Sequence, residues 1–208
     1  MGLNGDPCMT PFQLHVMQYG SGCGHYQCSI GGTKVCLVRG KIPADVLFIG
    51  EAPGESENTF GVPFWGQAGR LLDDIIAKGV HRDYPEIRVA ITNLVGCIPR
   101  VTEGEESGKG KAKLYDEPDD RQIKQCSARL LDFVSIAEPR LIVTIGKLAR
   151  NWLSVGMKDT IDVDRNIPRI DIIHPAAILK LPSNLRNLKV QESIVTLNNA
   201  VEELECPF

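Results

Sequence analysis

The sequence predicts a three-layer α/β/α domain built on a mainly parallel, four-stranded sheet, with all 208 residues in one domain. Three observations lead there. Short runs rich in β-branched and aliphatic residues recur along the chain, each short enough for a buried strand. The segments between them carry apolar residues at helical spacing. Each run stops at a glycine, an asparagine or a His-Pro turn, so strand alternates with helix as parallel connections require.

Residues 1–40 read as loop, because Gly20-Ser21-Gly22-Cys23-Gly24 and its neighbours favour turns. Cys23 and Cys28 lie close enough to grip one metal or cluster, and Cys36 follows eight residues later. Residues 45–49 are the first strand. It ends in Gly50-Glu51-Ala52-Pro53-Gly54, followed by the acidic residues Glu55 and Glu57 and the pair Phe64-Trp65. A helix from Gly69 to Lys78 places Leu71, Leu72, Ile75 and Ile76 on one face, and Gly79 is expected to stop it. Ile87, Val89 and Ile91 alternate in a second strand that ends at Asn93. Residues 101–120 are hydrophilic and read as an inserted mobile loop. Pro118 then opens a helix with Ile123, Cys126, Leu130, Phe133, Val134 and Ala137 on its buried face. Residues 141–145 form the third strand, turned by Gly146 into a helix bearing Trp152. Residues 170–173 form the fourth, ending at His174-Pro175. A last helix spans about 188–204.

The composition is that of a soluble globular chain, with 43% hydrophobic and 24% charged residues. A net charge of −3 argues against a broadly basic coat for nucleic acid but leaves room for a local patch. No apolar run reaches 18 residues and no signal-peptide pattern opens the chain, so a cytoplasmic protein without a membrane partner is expected. Seven cysteines in such a chain favour a metal or cluster over disulfides.

Glu51, Asn93 and His174 all follow strands, and parallel strands present those ends along one edge, where open α/β sheets bind ligands. An acid, an amide and an imidazole would converge there beside Phe64. Gly50-Glu51-Ala52-Pro53-Gly54 with Gly61-x-Pro63-Phe64-x-Gly66-x-Ala68-Gly69 resembles the first motif of the family-4, iron–sulfur branch of the uracil-DNA glycosylases. Thr92-Asn93-Leu94-Val95-x-Cys97 resembles the base-reading strand of that family, and His174-Pro175-Ala176-Ala177 its last motif.

The resemblance implies hydrolysis of the N-glycosidic bond of uracil in DNA by a monomer. Glu51 and His174 would be catalytic with Glu57 assisting, and Ala52, Phe64 and Asn93 would hold the base. Leu181 would wedge into the emptied stack, with Lys180 and Arg186 on phosphates. Cys23, Cys28, Cys97 and Cys126 would hold a [4Fe–4S] cluster. The chain departs from the family pattern in the x4 spacing of its first cysteine pair, in the inserted loop, in Cys36 as a rival ligand, and in Trp65, which stands where a small residue is usual and would reshape the pocket. Two other readings use the same residues. One is a glycosylase for a modified pyrimidine; the other is a protein that binds uracil or a modified base in DNA without cleaving it.

Overall fold

Three largely apolar runs and one alternating run, Arg169–Ile172, become the parallel core of one sheet in the computed structural model, which describes residues 9–20, 30, 34–99, 117–154, 163 and 166–205. They are β2 (Val46–Gly50), β3 (Val89–Asn93), β4 (Leu141–Ile145) and β5 (Arg169–Ile172). A two-residue edge, β1 (Arg39–Gly40), adds a fifth strand antiparallel to β3 that the sequence did not signal. The order is β1-β3-β2-β4-β5.

Alternation along β2 sends side chains to two cores. Leu47 and Ile49 pack with Ile123, Leu130 and Phe133 of α4 (Asp120–Ala137) and Trp152 of α5 (Lys147–Leu153). Val46 and Phe48 pack on the other face with Leu72 and Ile75 of α3 (Gln67–Ile76) and Ile194 and Leu197 of α7 (Ser183–Glu205). Both layers of helices are therefore present, as the alternation of elements implied.

Two expectations need correction. Residues Pro11–Gly20 form a helix, α1, rather than loop: His15 and Tyr19 are buried, the His15 ring sits 5.6 Å from Phe133, and the Tyr19 hydroxyl donates to Asp132 at 2.5 Å. Gly79 does not end its helix. The chain continues through a π-helical turn, Ala77–His81, because Gly79 lets this turn press onto α7. A Cβ there would lie 3.0 Å from both the Ile194 carbonyl oxygen and Leu197 Cβ.

The strand order also locates the site. From β2 the chain passes to β3 on one side, then crosses to β4 on the other, so the crevice lies beyond the carboxyl ends of β2 and β4. Gly50 pairs with Asn93, and Ile145 with Ile172, so the ends of all four parallel strands are nearly level.

Candidate active site

Two strand ends, those of β2 and β5, and the short helices that follow them build one cavity of about 370 Å³, lined by Glu51, Ala52, Glu57, Phe64 and His174, with Glu117 at its side. A second, larger cleft of about 700 Å³ shares Glu51, Glu117, His174 and Ala176 with it and runs out past Lys147, Arg150 and Lys180. The expected acid, imidazole and aromatic ring are thus brought together.

Glu51 follows β2 and accepts a hydrogen bond from the Leu148 N–H in the first turn of α5. Gly146, the residue capping that helix, has no side chain to do so, and Glu51 replaces it. Burial, and then the nearby Glu117 carboxylate, push the Glu51 carboxyl above its ordinary value. Gly146 itself lies wedged between Glu51 and His174. A Cβ on it would come 2.5 Å from Glu51 Oε1 and 3.2 Å from His174 Cβ.

His174 caps α6 (Pro175–Leu179), and its Nδ1 accepts the Ala176 N–H at 3.2 Å. That leaves Nε2 to carry the proton of the neutral ring. Burial lowers its pKa to about 4, against the pull of Glu57 and with a further push from Lys180. The imidazole is therefore neutral at physiological pH, and a donor at Nε2.

Phe64 stacks on His174, with ring centroids 5.7 Å apart and planes at 29°. Its backbone is held at φ +53°, and Gly69 permits this turn, since a Cβ at 69 would strike the Phe64 carbonyl. Gly50 serves Asn93 and Phe64 together: a Cβ on it would lie 2.5 Å from Asn93 Oδ1 and 2.6 Å from the Phe64 ring. Asn93 is 1% exposed, and its Oδ1 has no hydrogen-bond partner among the described residues. A buried amide oxygen without a partner is costly to keep, which marks it for a ligand.

The remaining residues divide. Glu57 uses both carboxylate oxygens on the loop, accepting from Gly54 N at 3.1 Å and Gly66 N at 3.2 Å. Its geometry is that of a staple across the pocket wall, on the helix α2 (Glu55–Phe60), rather than of an acid or base. Trp65 is 49% exposed and rests on Phe60, centroids 5.5 Å apart. It does not line the cavity, so it is Phe64 and not Trp65 that forms this part of the wall. Consecutive side chains diverge around Phe64, sending one ring in and the next out. Lys180 lines the larger cleft. Leu181 is half-buried between α6 and α7. Arg186 donates to the Leu179 and Leu181 carbonyls at 2.9 and 3.2 Å, bracing that loop from within.

Cys97 and Cys126 lie on neighbouring segments and are half-exposed, while Cys23 and Cys28 fall outside the described residues, as do residues 101–116 of the inserted loop. Cys126 Sγ accepts from Gly96 N at 3.4 Å and from Arg129 Nε at 3.3 Å, the donors that a thiolate attracts. Cys36 is different. It is fully buried, its S–H donates to the Glu57 carbonyl, and burial, then the neighbouring Cys97, push its pKa up to about 12, so it remains a thiol. Among the described residues no three His, Cys, Asp or Glu side chains form a metal site, and no helix is long and apolar enough to cross a membrane.

Glu117 is the residue that the sequence reading missed. It sits at the end of a hydrophilic stretch that gives no periodic signal, and only the fold brings it opposite Glu51.

Comparison with known proteins gives a consistent answer. The model of the uracil DNA glycosylase superfamily matches residues 38–200. A type-4 uracil-DNA glycosylase of Sulfurisphaera tokodaii is 30% identical over 175 residues, covering 74% of this chain and 71% of that protein. Those of Thermotoga maritima and Archaeoglobus fulgidus are 29% and 28% identical, over 77% and 75% of this chain and 80% and 78% of theirs.

Proposed function

This chain belongs to the uracil DNA glycosylase superfamily, in its type-4 branch, and we propose that it hydrolyses the N-glycosidic bond of uracil in DNA to leave an abasic site. The observation that carries this reading is the convergence of Glu51, His174 and Phe64 on one cavity at the strand ends, with the unpartnered Asn93 Oδ1 buried beside the Phe64 ring across Gly50.

A base within a duplex must be flipped out to reach such a cavity. Phe64 offers a stacking face, worth about 1–3 kcal/mol per base. Asn93 offers the amide that pairs with the uracil edge. The unpartnered Oδ1 suits the N3–H of uracil, a donor that cytosine lacks at that position. As the C1′–N1 bond breaks, the sugar becomes oxocarbenium-like and the electron pair leaves with the base. The neutral His174 donates from Nε2 to the negative charge growing on the uracil O2. An imidazolium there would hand its proton over; a ring held neutral down to about pH 4 instead stabilises the anion by hydrogen bonding. Glu51 orients the attacking water, takes its proton and favours the cationic sugar. Its raised pKa makes it a better base than an exposed carboxylate. Lys147, Arg150 and Lys180 along the outer cleft suit the flanking phosphates.

The cluster reading extends this. Cys23, Cys28, Cys97 and Cys126 would hold the [4Fe–4S] group, and the donors on Cys126 Sγ support its place among the ligands. When bound, such a group ties the cysteine-bearing N-terminal segment to the Cys97–Cys126 region.

The test is release of uracil from a labelled oligonucleotide, single-stranded or opposite G or A, followed by alkaline cleavage of abasic sites. Wild-type activity that falls sharply in Glu51→Gln, Asn93→Ala and His174→Ala supports the reading. Retained binding without cleavage by the wild type overturns it in favour of a binding protein.

A further inference from the structure

Arg129 on α4 is 2% exposed, and its guanidinium meets two parts of the molecule at once. One terminal nitrogen donates to the Asn93 carbonyl at 2.5 Å and to the Leu94 carbonyl at 3.1 Å, and the other to Thr92 Oγ1 at 3.3 Å. Its Nε donates to Cys126 Sγ at 3.3 Å. No carboxylate forms an ion pair with it among the described residues. A buried cation without a countercharge is strongly unfavourable. Of its four partners, the Cys126 sulfur alone can be anionic.

We propose that Arg129 is a positioning residue that couples the cysteine site to the base-reading end of β3. It lends its charge to the Cys126 thiolate and clamps the backbone from Thr92 to Leu94, and thereby the amide of Asn93. This rests on the glycosylase and cluster readings above. The link is geometric: one guanidinium spans Cys126 Sγ on α4 and the carbonyls of Asn93 and Leu94 at the end of β3. Gly96 completes the arrangement, since a Cβ there would lie 3.3 Å from Arg129 Nε.

Anaerobically purified wild type, Arg129→Lys and Arg129→Met are compared by iron and sulfide content, visible absorbance, the rate at which a ferrous chelator strips the iron, and kcat and KM for uracil release. Lysine keeps the charge but loses the planar fork. Arg129→Lys is expected to strip at close to the wild-type rate while KM rises about five- to tenfold at nearly constant kcat, the pattern of lost substrate binding. Arg129→Met is expected to show the same rise in KM and also to lose iron several-fold faster. An unchanged KM in a folded, iron-bearing Arg129→Lys overturns the coupling. Wild type that releases uracil but carries no iron overturns the link to the cysteine site and leaves the glycosylase standing. Wild type that carries iron but releases no uracil overturns the base-reading half together with the proposed function.

Discussion

Gly146→Ala tests the active-site geometry without altering any group that touches substrate. At φ +93° an alanine costs about 1–3 kcal/mol in backbone strain alone. Its Cβ would also lie 2.5 Å from Glu51 Oε1, about 0.9 Å inside ordinary contact, and 3.2 and 3.3 Å from His174 Cβ and Cδ2. Backbone cannot yield easily here, because Gly146 N is bonded to the Ile172 carbonyl across the sheet. Glu51 must therefore move by most of an ångström, out of its bond with Leu148. Misplacement of about 1 Å costs on the order of 100-fold in rate. The expected outcome is a fall of that size in kcat/KM, read by single-turnover uracil release. Gly61→Ala is the control for strain. It sits at φ +75°, but its added Cβ meets nothing nearer than Lys34 Cδ at 3.7 Å. That variant should lose a comparable amount of stability and little activity. A folded Gly146→Ala with kcat/KM within threefold of wild type would refute the argument, as would equal losses in both variants.

Four further outcomes are expected. Glu117→Gln removes a like charge from beside Glu51, so the carboxylate forms at lower pH; the acid limb of the kcat/KM profile should move to lower pH, with the plateau little changed. Glu57→Ala leaves the Gly54 and Gly66 N–H groups without their charged acceptor, and should cost about 1.5–3 kcal/mol in urea melts while raising KM more than it lowers kcat. His15 is buried between Tyr19 and Phe133, and its pKa is lowered from 6.5 to about 4, first by burial and then by Arg129. The folded state thus binds fewer protons than the unfolded one, and its contribution to stability is lost as pH falls from 6.5 toward 4. His15→Phe should flatten the decline of Tm across that window. Asn93→Leu should abolish uracil release yet leave Tm unchanged or higher, because it replaces a buried oxygen that has no partner in the free protein.

The parts of this molecule that were legible in its sequence are those that apolar patterning writes. Three of the four parallel strands are buried runs and β5 alternates, with Ile172 buried; their ends followed directly, which placed Glu51, Asn93 and His174 on one edge from the sequence alone. Elements that bury little escaped. α2 has no buried residue and so no periodic face, β1 is two residues long, and α1 buries only His15 and Tyr19 beside a Gly-rich stretch. Roles were harder than places. A glutamate reads alike whether it activates water or staples a loop, and only the N–H groups around Glu57 decide that it does the second. Arg186 and Trp65 changed meaning for the same reason, one by bonding inward to carbonyls, the other by turning outward onto Phe60.

The site is also a place where the fold works against its own stability, in a consistent direction. Asn93 holds an oxygen out of water with nothing to accept from. His174 is kept neutral by burial, Glu51 is kept from ionising easily, and Phe64 sits at a positive φ. Each is unfavourable in the free protein, and the states of Asn93, His174 and Glu51 are relieved by the same kind of guest: a planar base with a donor for the amide, an acceptor for the imidazole and a cationic sugar for the carboxylate. Burial alone would not select that combination, since a core asparagine is usually satisfied and a core histidine usually pairs. The glycines complete the argument. Gly50, Gly69 and Gly146 each stand where a single methyl group would collide with a functional side chain or its backbone, so the spaces at these strand ends are set by backbone, which cannot repack, rather than by side chains, which could. A cavity defined that way keeps its shape while empty, and under the proposed function Glu51 and His174 need no rearrangement when the base arrives.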